Sequence, residues 1–83
     1  MNEPQIEVWI ANIRHKYGTD TYAARTEEKL NKLIYGYVKQ WWNNIEWNKG
    51  DKDIKLPKDH NKAIAIYFEK MEEEYLDVMQ KEI

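Results

Sequence analysis

The fold class turns on Pro4-Gln5-Ile6-Glu7-Val8-Trp9-Ile10-Ala11-Asn12-Ile13-Arg14-His15-Lys16-Tyr17-Gly18. Ile6, Trp9, Ile10, Ile13 and Tyr17 recur at intervals of three and four, which places them on one face of a helix. Pro4 suits a first helical turn, where its missing N–H has no intrahelical partner, and Gly18 suits a left-handed residue just past the end. The spacing predicts a helix over residues 4–17, with Val8 alone opposite the stripe.

Outward from it, residues 18–25 carry no clear period and read as a connector. Thr26 then offers a cap, and Glu27 and Glu28 meet the positive end of a helix dipole. A second helix is expected over 26–47, with Leu30, Leu33, Ile34, Tyr37, Trp41 and Ile45 on its main stripe. Gly36 inside it suggests close approach of another backbone. Residues 48–58 read as a loop in which Ile54 and Leu56 alternate like a short extended piece. Asp59 caps a third helix carrying Ile64, Tyr67, Phe68, Met71, Tyr75, Val78 and Met79. Three amphipathic helices predict an all-α fold: a compact three-helix domain with a short extended loop segment between helices two and three.

The 83 residues hold one small helical domain, 1–83, because so short a chain has no room for two cores. Leu, Ile, Val and Phe number only 17, so four Trp and six Tyr must supply much of the buried surface. A net charge of −2 lacks the basic excess of a nucleic-acid-coating protein. With neither Cys nor Ser, a Cys or Ser nucleophile, a disulfide framework and a cysteine zinc site are excluded. No segment reads as a signal peptide or a membrane span, and a cytoplasmic protein that does not engage membranes is expected.

His15 and His60 lack a second His at metal-ligand spacing, so no metal is expected. Gly18, Gly36 and Gly50 are isolated and cradle no phosphate, so no cofactor is expected either. The three Thr hydroxyls have no identifiable activating base. A non-enzymatic protein is the reading that remains.

Two features point to a partner. Tyr35 and Trp42 lie seven apart and form a second aromatic shoulder on helix two, with Lys39 between them and Trp47 beyond. Glu69, Glu73, Glu74 and Asp77 fall opposite the apolar stripe of helix three, giving an acidic face. Together they predict a protein-binding module, an adaptor or a steric inhibitor, docking on a larger protein or complex through Tyr35, Lys39, Trp42, Trp47, Glu69, Glu73 and Asp77. A viral or mobile-element origin is compatible with the size, and self-association would add burial to a small core. The alternative is a nucleic-acid-binding helical domain using aromatic rings with Lys39, Lys49, Lys52, Lys55, Lys58 and Lys62. Asp51, Asp53 and Asp59 interrupt those lysines, which weighs against it.

Overall fold

The computed structural model describes residues 6–45, 47 and 54–82. It replaces the expected three-helix domain by a mixed α/β fold in the order β1 (Glu7–His15), β2 (Gly18–Ala24), α1 (Glu27–Trp41), a 3-10 turn (Trp42–Asn44), α2 (His60–Lys70) and β3 (Tyr75–Glu82). The strands form one antiparallel sheet in the order β2-β1-β3.

The first correction falls on the deciding stretch. Ile6, Val8, Ile10 and Ile13 are β-branched, and with Trp9 they fit a pleated surface as well as a helical stripe. Spacing alone does not separate the two in a run this short. The strand is the state that pairs: Glu7 to Arg14 run opposite Glu82 to Tyr75, and Trp9 to His15 run opposite Ala24 to Gly18. Trp9, Ala11 and Ile13 turn towards the helices, whereas Val8, Ile10, Asn12 and Arg14 turn to the other face. Gly18 has φ +136°, a conformation that side chains rarely adopt, so the glycine closes a hairpin rather than capping a helix. The connector expected at 18–25 is β2, in which Thr19, Thr21 and Tyr22 suit a pleated strand.

The second correction falls on the third helix. It stops at Lys70: the Met71 N–H makes the last bond, to the Tyr67 carbonyl at 2.9 Å, and the chain beyond is taken up in pairing with β1. The Glu74 N–H donates to the Met71 carbonyl at 3.1 Å in the turn that follows, and Tyr75 onwards is strand. An acidic helix face joining Glu69, Glu73 and Asp77 therefore does not exist.

Both observed helices start at their expected caps. Thr26 Oγ1 accepts from the Lys29 amide at 3.1 Å, and Asp59 Oδ1 from the Lys62 amide at 3.1 Å. Leu30, Ile34 and Val38 of α1 are buried over Ala11 and Ile13 of the sheet, with Ala63 and Tyr67 of α2 completing the core. Full burial of each large apolar side chain contributes about 1.5–3 kcal/mol. The helices cover one face of the sheet, and among the described residues nothing covers the other. A Cβ placed on Gly36 would meet nothing within 4 Å, so no backbone approaches closely there. Among the described residues no helix is long and apolar enough to cross a membrane.

Candidate functional site

The titratable groups of the interior converge where the β1–β2 hairpin, the end of α1 and the turn before β3 meet. A cavity of about 230 Å³ lies there, and its walls include Tyr17, Tyr37, Trp41, Asp20, Glu73 and Glu74. The hairpin delivers Tyr17 and Asp20, the last turns of α1 deliver Tyr37 and Trp41, and the chain reversal after α2 delivers both glutamates.

Glu74 is the fixed point. Its Oε1 accepts hydrogen bonds from the Tyr37 hydroxyl at 2.5 Å and the Tyr67 hydroxyl at 2.9 Å. Burial first, and then hydrogen bonding to this carboxylate, raises the pKa of both phenols above the ordinary value of 10.0. Both therefore remain donors at neutral pH and hold the carboxylate in place. Among the described residues Glu74 Oε2 accepts no hydrogen bond, which leaves that oxygen for an incoming donor.

His15 closes the other side. Its Nδ1 accepts from the Tyr17 amide at 3.2 Å, which assigns the proton of the neutral ring to Nε2. Nε2 lies 3.2 Å from Asp20 Oδ2 without hydrogen-bond geometry, an electrostatic contact rather than a directed bond. The His15 ring faces that of Tyr37 with centroids 6.4 Å apart. Lys16 places its Nζ 5.8 Å from the centroid of Tyr17, so a cation already rests on an aromatic face at the rim. Against this lysine stand the carboxylates of Asp20, Glu73 and Glu74, so the described lining of the cavity is net negative.

The structure distributes the sequence-predicted residues differently. Trp42 is not on an exposed shoulder: it is 7 % exposed, and its Nε1–H donates to the Ile54 carbonyl at 3.0 Å. Tyr35 is half-buried, stacked on His60 at 4.2 Å, with its hydroxyl donating to the Pro57 carbonyl at 2.9 Å. Both rings are spent on fixing the segment that enters α2. Trp47 packs edge-on against Trp42 at 5.8 Å. Lys39 is exposed on α1 and Glu69 on α2, while Asp77 is exposed on the uncovered sheet face. Of that set only Glu73 reaches the cavity.

Sequence reasoning missed Tyr37, Trp41 and Tyr67 as site residues because they fit a core stripe, and it weighed His15 as a metal ligand. The adjacency of His15 and Asp20 depends on the hairpin, which a helical reading abolishes. A second, larger depression of about 650 Å³ lies beside Trp42, Asn43 and Ile54, and among the described residues its lining holds one lysine, Lys55, and no carboxylate.

Comparison with known proteins finds no matching family model, no matching curated protein and no matching solved structure. The geometry alone carries the functional reading. Among the described residues no group of three or more His, Asp or Glu is placed to hold a metal ion.

Proposed function

We propose that the protein is a non-enzymatic protein-binding module, an adaptor or steric inhibitor, which docks on a larger protein by receiving a lysine or arginine side chain of that partner in the cavity between Trp41 and Glu74. The observation that carries this reading is the pairing of aromatic walls with carboxylates. Tyr17 and Trp41 offer exposed aromatic surface to the stem and head of a cation, and Asp20, Glu73 and Glu74 Oε2 offer acceptors.

Binding is favoured over catalysis by how the histidine is used. The Nδ1 lone pair is occupied by the Tyr17 amide and Nε2 carries the proton of the neutral ring, so neither nitrogen is presented as a base to a guest. The hydroxyls of Thr19 and Thr21 lie on the opposite sheet face, where Thr21 Oγ1 donates to Asn12 Oδ1 at 2.8 Å. Aromatic anchors beside fixed charge are also what dominates many protein interfaces.

The test is a titration with short arginine- and lysine-containing peptides, followed by the Trp41 indole signal in NMR, with a glutamate-containing peptide as control. The expected result is a saturable shift with the basic peptides alone, weakened by salt and abolished by Asp20→Asn with Glu73→Lys, which leave the indole reporter in place, at unchanged circular dichroism. An indole signal that ignores basic peptides at low salt overturns the reading.

A further inference from the structure

β3 forms one edge of the sheet, and among the described residues no strand, helix or loop pairs with its outer side. Edges of this kind are ordinarily blunted by brevity, proline, a bulge or charged side chains. β3 has none of the first three, and its charges, Asp77, Lys81 and Glu82, are of both signs, so they repel some registers and favour others. Its pairing with β1 continues without interruption from Glu82 to Tyr75, it contains no proline, and every residue except Leu76 is exposed, including Val78 at 42 % and Met79 at 45 %. A full row of outward N–H and C=O groups therefore stands ready for another strand.

We propose that this edge pairs antiparallel with β3 of a second copy of the chain, making one six-stranded sheet about a two-fold axis at Met79. The charge pattern of β3 selects both the partner and the register. Residues opposite each other in an antiparallel pair share a face, so a two-fold axis normal to the sheet must set odd residues against odd ones. Centring the axis on Asp77 would oppose two carboxylates. Centring it on Val78 brings no charge complement and carries Glu82 towards Glu74 of the partner subunit. Centring it on Met79 sets Asp77 opposite Lys81 of the partner subunit, and Lys81 opposite Asp77 of the partner subunit, while pairing residues 76–82 of each strand.

Asp77 and Lys81 have no ion-pair partner in their own chain among the described residues, and their neighbours on β1 are Asn12 and Val8. The same register makes one apolar row across the uncovered face, because Ile10 already lies beside Met79 and the row repeats across the axis. The interface is separate from the cavity of the proposed function, so either stands if the other fails.

Analytical ultracentrifugation across a wide concentration range tests the pairing. The expected result is a rise in mass from the 10.1 kDa monomer to twice that value, with β3 amides gaining hydrogen-exchange protection as concentration rises. Asp77→Lys sets lysines opposite each other and Lys81→Asp sets aspartates opposite each other. Each single change is expected to weaken the dimer roughly tenfold, and the double swap to restore it. A monomer at every concentration overturns the proposal, as does a dimer indifferent to both single changes. Folding of each variant is checked by its near-ultraviolet tryptophan spectrum.

Discussion

Trp41 and Trp42 are neighbours in the chain and opposites in the fold. Trp42 is 7 % exposed with its indole N–H held by the Ile54 carbonyl, whereas Trp41 is 39 % exposed and forms a wall of the acidic cavity. One residue of helical rotation, about 100°, separates a structural role from a candidate binding role.

The contrast sets a first expectation. Trp42→Ala should cost about 3–5 kcal/mol, and Trp42→Phe, which keeps most of the volume and loses the hydrogen bond, about 1–3 kcal/mol. Trp41→Ala should cost under about 1 kcal/mol and instead remove binding of basic peptides. Urea unfolding of the three variants measures this, and a Trp41→Ala loss as large as that of Trp42→Ala would place both rings in the core.

Glu74 holds two phenols with one oxygen. Glu74→Ala should destabilise by about 1–3 kcal/mol, since the buried Tyr67 hydroxyl loses its acceptor. Glu74→Gln keeps an acceptor oxygen and should cost less. Equal losses in the two variants, by denaturant titration, would show that the carboxylate does not organise the pair.

Alkaline pH should destabilise the fold through Tyr37 and Tyr67. Their native pKa values are raised by burial and then by Glu74, so between pH 10 and the higher native values the unfolded chain releases protons that the native chain retains. Stability from this source is fully present below pH 10 and declines as pH rises above it. Tyr22, raised by burial and then by Asp20, adds in the same direction. Thermal melts from pH 8 to pH 12 should show the decline, and Tyr37→Phe should flatten it.

Gly36 is exposed in the interior of α1 with open space where a Cβ would stand. Gly36→Ala should therefore stabilise by about 0.5–1 kcal/mol, mainly by restricting the unfolded chain. A lower melting temperature would mean that the position serves a contact made by another molecule.

Legibility in the sequence followed the range of the interactions. Thr26 and Asp59 were readable because a cap bonds three residues onward. Of the expected inward stripe, Leu30, Ile34, Tyr37 and Ile45 are buried, whereas Leu33 and Trp41 are 43 % and 39 % exposed. Ile6 to Ile13 matched a helix by spacing, yet their state is set by hydrogen bonds to β3 some seventy residues away. The same distance hid the cavity, since Asp20 and Glu74 converge only once β1 has paired on both sides. Tyr35 and Trp42 stood out as surplus rings, and the segment Ile54–Pro57 turned out to occupy both.

The cap positions, the buried members Leu30, Ile34 and Tyr37 of the α1 stripe, the reliance on aromatic side chains and the exclusion of cysteine and serine chemistry could be read from the chain alone, because each depends on residue identity or on neighbours within about a helical turn. The tertiary structure alone decided that residues 7–15 are strand, that the chain after Lys70 leaves the helix for a sheet edge, and which tryptophan faces solvent. Those choices rest on pairing and burial between distant segments, and such energies exist only after the segments meet.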